Sequence, residues 1–230
     1  MIVLGLDPSL TNFGWAIHDT SAPVGDVSRC PGRGRFRTPS KMEFIDRYVY
    51  MRDSLQALVQ EWQPDKVGME FPVFGNLWSE GMYGLFLFSC EALKREGCDV
   101  VFWSPLQVKA HARDTIDRPK GWKMDKVDMC EAAKKDAAGG RWNHNEADAY
   151  LVGVLGGRFW DFFEGNLQEG GLTATETRYF TLVKKYTRGK KAGRTVRKGV
   201  IHREDDRFFR WSKTSKGVDN ATKESSQKDK

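Results

Sequence analysis

The chain opens on an apolar run from Ile2 to Leu6, breaks at Asp7-Pro8-Ser9, and resumes with Phe13, Trp15 and Ile17 at every second position. That pattern predicts strands at 2–7 and 13–18 joined by a tight turn, with Asp7 at a strand end. The stretch from His18 to Gly32 is rich in Pro, Gly, Ser and Asp and reads as a long connection to a third short strand at 34–38. Ser40 stands three residues before Glu43, and Phe44, Tyr48, Met51, Leu55, Leu58 and Trp62 then recur at helical spacing, so a helix is expected from Ser40 to Trp62. Pro64-Asp65 ends it, and 66–71 is a strand carrying Glu70 near its end. A second helix over 77–95 is apolar on most faces and is expected to be largely buried. A strand at 99–103, a short helix at 106–113, a helix at 123–136 and a long apolar helix after Gly139-Gly140 complete the pattern. Three sequential strands followed by β-α-β make an α/β fold with a mixed sheet flanked by helices.

Charge divides the chain. Residues 1–165 hold 20 Lys+Arg against 23 Asp+Glu, whereas residues 166–230 hold 17 against 8. A near-neutral core with a basic extension fits a nucleic-acid binder, and equally a solubilising tail. Arg178 to Arg203 alternates as two short strands around a basic turn containing Lys190, Lys191 and Arg194, and the polar tail from residue 213 onward lacks periodicity and is expected to be disordered. This divides the chain into a main α/β domain at 1–164, a basic hairpin-like extension at 165–212 and a tail at 213–230. No apolar run reaches the roughly 20 residues of a membrane span, and Met1 leads into a strand without a basic leader, so a cytoplasmic protein with no membrane partner is expected. Cys30, Cys90, Cys98 and Cys130 lack metal-ligand spacing and read as reduced packing residues.

Asp7 and Glu70 sit on strand ends, and Asp148 lies in a helix whose following residues Tyr150, Leu151, Val154 and Leu155 are apolar. Each reads singly as a surface acid: a turn opener, a strand end, a helix-start residue favoured by the dipole. Together they supply what a two-metal phosphoryl-transfer site needs, since two divalent ions about 3.5–4 Å apart require several anionic oxygens. Hard oxygen donors suit Mg²⁺, with Mn²⁺ as the alternative.

The stretches GLDPSLTNFGWAI, VGMEFPVF with Glu70, PLQVKAHA with Lys109, the basic turn leading into Lys123, and NEADAYLVG with Asp148 follow one another from Met1 to about Phe163. In order and spacing they resemble the RuvC-type Holliday junction resolvases of the ribonuclease H and integrase superfamily, and the length of the basic segment suggests a divergent, viral relative. The resemblance implies a ribonuclease H-like fold, a homodimer, branched DNA as substrate, and Mg²⁺-dependent hydrolysis that leaves ligatable nicks. It implies that Asp7, Glu70 and Asp148 hold two metal ions and that Lys109 and Lys123 contact phosphates, with Lys123 or Lys109 offsetting the charge that develops there. Lys120, Lys190, Lys191 and Arg194 extend the expected DNA surface, and Phe74 is the expected base-stacking aromatic, with Phe71 a core residue. The sequence departs from the family three residues before Asp148, where Asn145 stands in place of the usual Asp or His. Asn145 is the expected fourth ligand by spacing and His144 the alternative, while Glu146 points away. The apolar second helix is the expected dimer face. Two other classes remain: a catalytically silent branched-DNA binding module, and a sugar-kinase or actin-like ATPase, for which the chain is short.

Overall fold

In the computed structural model, which describes residues 1–71, 80–180, 183–185, 193, 195–197, 201–204 and 207–210, the alternating N-terminal stretches become β1 (Ile2–Asp7) and β2 (Asn12–Asp19). They pair antiparallel with Asp7 opposite Gly14, and β3 (Arg33–Arg37) adds antiparallel to β2. β4 (Lys66–Glu70) and β5 (Val100–Trp103) add in parallel on the other side, giving the order β3-β2-β1-β4-β5. This is the mixed sheet expected from the sequence.

Strand alternation sorts the core into two layers. Leu4, Leu6, Val67, Met69, Val100 and Phe102 face α1 (Phe44–Trp62) and α2 (Glu80–Arg95), meeting Met51, Leu55, Leu85 and Leu93. Val101 and Trp103 face the opposite layer, built from α3 (Pro105–Thr115), α4 (Lys126–Asp136) and α5 (His144–Phe163). Residues of α5 from Ala147 to Leu155, Asp148 excepted, are buried.

Two glycines let α5 lie directly on the sheet. A Cβ at Gly5 would stand 2.0 Å from the Ala149 carbonyl oxygen, and one at Gly68 would stand 2.7 Å from that of Val152. Gly5 and Gly68 therefore belong to the face that carries α5. So do Asp7 and Glu70, two residues further along the same strands.

Three elements differ from their expected form. α1 begins at Phe44, and no side chain caps it. Instead of a Ser40–Glu43 capping box, the Arg47 guanidinium donates to the carbonyls of Leu10, Pro39, Ser40 and Met42 at 2.9–3.2 Å, so the 39–42 segment is tied as a turn. α4 begins at Lys126 rather than 123, because the Asp125 carboxylate accepts from the amides of Val127 and Asp128. α2 is only partly buried. Leu85, Ser89, Ala92 and Leu93 are covered, whereas Tyr83 and Leu87 are each 46% exposed.

The packed core also runs past residue 164. A short helix, α6 (Ala174–Phe180), places Phe180 against Trp103 and Phe159, and its fully buried Glu176 pairs with Arg158 of α5. Beyond it, β6 (Val183–Lys185) pairs antiparallel with β7 (Thr195–Arg197), and β8 (Ile201–Glu204) with β9 (Arg207–Arg210). Lys190, Lys191, Arg194 and the 213–230 tail lie outside the described residues.

A buried polar network locks the long β2–β3 connection to the helical layer. Asp136, at the end of α4, accepts from Arg29 Nε at 2.8 Å and from the Tyr150 hydroxyl at 2.7 Å. The same hydroxyl lies 3.4 Å from His18 Nδ1, and burial beside Arg29 pushes the His18 imidazole down to about 3, so it stays neutral. Asp136→Ala would leave the Arg29 charge buried without its partner. It is expected to cost about 3–5 kcal/mol, read as a shift in the urea midpoint with unchanged slope.

Candidate active site

Register fixes the first two acids. Leu6 of β1 pairs with Met69 of β4, so Asp7 and Glu70 follow as neighbours at the C-terminal ends of parallel strands, both on the α5 face. The close seat of α5 on Gly5 brings Asp148, one residue before Ala149, to the same place. All three carboxyls are half-buried, open to an approaching ligand yet poorly hydrated.

The electrostatics follow from that crowding. Burial, then Glu70, then Asp148 hold the Asp7 carboxyl well above the usual carboxylate range. Burial and the Asp148 charge push Glu70 up to about 7, while Lys109 opposes the rise. Asp148 is pushed up to about 6 by burial, against the pull of Lys109 and Lys126. Three anions competing for one small volume call for a cation. Asp148 Oδ1 is buried and has no hydrogen-bond partner, which leaves a lone pair directed at no protein group. As the side chains stand, no group of three His, Cys, Asp or Glu among the described residues is drawn together closely enough to hold an ion. The donors of these carboxyls are nonetheless all oxygens, the set that suits a hard divalent ion.

A stability prediction follows. Glu70 titrates at about 7 in the folded chain against an ordinary 4.5. Between those values the folded chain keeps a proton that the unfolded chain has released, so Glu70 withdraws stability as pH rises through that window. Glu70→Gln is therefore expected to melt higher than the unaltered chain in chelator. The gap should be absent near pH 4 and grow to a few °C by pH 8, the shift that about 1 kcal/mol produces in a chain of this size. Equal melting at both pH values would contradict the crowding.

The residues around Asp148 divide between two sides of α5. Asn145 turns toward the sheet: its side-chain amide nitrogen donates to the Asn12 carbonyl at 2.6 Å, leaving its Oδ1 as the only ligating atom. A Cβ at Gly14 would stand 2.2 Å from the Asn145 carbonyl oxygen, so the β1–β2 hairpin and the first turn of α5 are in direct backbone contact. His144 points the other way, with Nε2 at 3.4 Å from Lys126 Nζ. Glu146 is held by Arg33 and Arg35 of β3 at 3.6 and 3.2 Å, away from the acids.

Lys109, on the first turns of α3, stands where its charge reaches both Glu70 and Asp148. Gln107 steadies that helix start by accepting from the Ser104 amide at 3.0 Å. Lys120 and Lys123 are exposed on the loop before α4, whose Trp122 donates to Asp128 at 2.9 Å. The lysine whose field reaches Asp148 from this side is Lys126, which the sequence reading passed over. The Asp125-x-x-Asp128 box marks the helix start and would have placed Lys126 at its first position. Phe71 packs edge-on against Phe86 and Phe102 at 5.2 and 6.0 Å, as a core aromatic should. Phe74 lies outside the described residues.

No protein-family profile matches the chain. Curated relatives do. It is 29% identical over 114 residues to the crossover junction endodeoxyribonuclease RuvC of Thermomicrobium roseum, covering 47% of this chain and 66% of that one. It is 31% identical over 113 residues to the RuvC of Frankia alni, covering 48% and 56%. The chain thus spans less than two thirds of the length of either relative. Among solved structures, Thermus thermophilus RuvC in complex with a Holliday junction substrate superposes with a TM-score of 0.56 at 16% identity, over 67% of this chain and 91% of that one. No described helix is long and apolar enough to cross a membrane. The chain has the ribonuclease H-like fold of the RuvC resolvases and is similar to them in sequence over about half of its length.

Proposed function

We propose that the chain is a divalent-metal-dependent endonuclease that cuts four-way and related branched DNA. The observation that carries the reading is the meeting of Asp7, Glu70 and Asp148 on one face of the sheet, each with a raised proton affinity, and a partnerless buried oxygen on Asp148. The named substrate of the Thermus relative supports the choice of a branched duplex.

Asp7, Glu70 and Asp148 would hold two Mg²⁺ ions, with Mn²⁺ as substitute and Asn145 Oδ1 as the fourth donor. When bound, such ions lower the pKa of an attacking water and offset charge on the leaving oxygen. Asp7 and Glu70, fixed by strand register, would hold the ions from the sheet. Asp148 closes the set from α5, and the Asn145–Asn12 bond fixes the rotation of that helix about its axis. Lys109, exposed above Glu70 and Asp148, is placed to receive a non-bridging phosphate oxygen as negative charge builds there. Phe74, Lys120, Lys123, Lys190, Lys191 and Arg194 remain the expected wider DNA surface.

A homodimer fits this substrate, because two-fold related sites can cut two strands of like polarity. Tyr83 and Leu87, one helical turn apart on α2, are exposed. That apolar strip is the surface on which a second copy would seat. Leu87→Glu should convert a dimer to a monomer in sedimentation.

The reading is tested by incubating the full chain with end-labelled four-way junctions and linear duplex, in Mg²⁺ and in chelator. Paired nicks near the crossover that require the ion support it. Absence of cutting in both Mg²⁺ and Mn²⁺ despite tight junction binding would make the chain a binding module. ATP turnover without cutting would make it an ATPase.

A further inference from the structure

Beyond the three acids, the described surface holds a second concentration of chemistry on the far side of the first turn of α5. A cleft of about 590 Å³, open to solvent, lies between β3, the start of α4 and the residues leading into α5. Its lining includes three cations, Arg35, Lys126 and Arg141, with His144 and the flank of Trp142. Glu146 is the one acid in the lining, and Arg33 and Arg35 already engage it. The cleft therefore carries net positive charge, with three cations against one acid. α5 also begins at its rim, at His144, and adds a positive dipole end, whereas the start of α4 is already met by the Asp125 carboxylate.

Its position relative to Asp148 gives the charge a meaning. Lys126 belongs to both places, lining the cleft and acting on Asp148. His144 precedes Asp148 by four residues, about 6 Å along the helix axis. That span is of the order of one or two nucleotide steps, at ~3.4 Å of rise each. We infer that this cleft seats a backbone phosphate of the cut strand, one or two nucleotides from the scissile bond, with Arg141 and Lys126 as its principal donors. The inference rests on the nuclease reading above and adds a specific subsite to it. Lys126 links the two, so a phosphate held in the cleft also sets how far the next one reaches toward the acids. Arg141 is exposed on the loop before α5 and is the side chain to remove without disturbing the acids or the fold.

Arg141→Ala, Arg141→Lys and Arg141→Glu in the full chain are compared with the unaltered protein for binding to a four-way junction in chelator, across a salt series. Arg141→Ala is expected to lower the log–log salt slope by about 0.9, the loss of one phosphate contact. Affinity at low salt should fall by roughly tenfold, as for one charged hydrogen bond. Arg141→Lys should restore the slope, and Arg141→Glu should weaken binding further. Phosphate-ethylation interference should show one position beside the cut whose modification weakens the unaltered protein but no longer matters to Arg141→Ala. If the unaltered protein binds and cuts junctions while Arg141→Ala keeps both its slope and its interference pattern, the cleft assignment is overturned and the nuclease reading stands. If inorganic phosphate binds the unaltered protein and not Arg141→Ala while the DNA slope is the same in both, the cleft is an anion site unconnected with DNA, and the assignment falls. If the unaltered protein neither binds nor cuts a junction, both fall together.

Discussion

Replacing Asp7, Glu70 or Asp148 singly by its amide is expected to lower junction nicking in Mg²⁺ by at least about 10²–10³-fold, the scale of losing one preorganised charge-stabilising group. Junction binding should be retained or tightened. The asymmetry comes from the geometry. Each carboxyl is one of three crowded on the α5 face of the sheet, and its burial already disfavours the anion. An amide removes a charge that a hard cation needs and, at the same step, a charge that repels DNA phosphates. Asp148 should be the most sensitive of the three, because its buried Oδ1 has no protein partner to share with an ion. Gel-shift titration beside a cleavage time course reads both quantities. Normal nicking by all three variants would sink the site assignment.

Gly5→Ala is expected to be as damaging to cleavage as any of the acid variants, and by a different route. The added methyl would stand 2.0 Å from the Ala149 carbonyl oxygen and 2.6 Å from the Gly153 amide nitrogen, both backbone atoms of a buried helix. No rotamer change relieves such a clash. α5 must lift from the sheet, at a cost of about 3 kcal/mol or more, and Asp148 moves with it. A lower melting temperature together with lost nicking is the expected pair of results. Lost nicking at unchanged stability would mean that α5 tolerates the methyl, and the account of how Asp148 is positioned would be wrong.

The parts of this site that sequence made legible are those set by short-range periodicity. The apolar run over 2–6 and the short strand pattern over 66–71 put Asp7 and Glu70 at strand ends, and the apolar run after Asp148 placed it on a helix. Strand neighbours and the face shared by Gly5 and Gly68 then needed coordinates. Helical spacing favours Asn145 as the fourth ligand but keeps His144 within reach as the alternative. What separates them is the Asn12 carbonyl, 133 residues away in sequence, and the Lys126 ammonium across the cleft. Apolarity of 77–95 could not tell a buried face from one left open, so Tyr83 and Leu87 came as a finding. α6 went unread because it is seven residues long, yet Thr173 and Glu176 form a reciprocal cap that the Thr-x-x-Glu spelling announces. Its tie to Arg158 is a long-range contact with no local signature.

β3 has a role outside the chemistry. Its five residues, Arg-Gly-Arg-Phe-Arg, form one free border of the sheet, and two of its arginines lean inward to hold Glu146. A border strand this short and this charged is a poor template for another chain, since a partner strand would have to bring its own backbone alongside a row of guanidinium groups. The opposite border, β5, is buried along its whole length, and β8 runs close beside it. Growth of the sheet by strand addition is thus obstructed at both ends. Newly made copies of the chain are kept from sticking to one another through their sheets, and any contact between them is steered to helical surfaces.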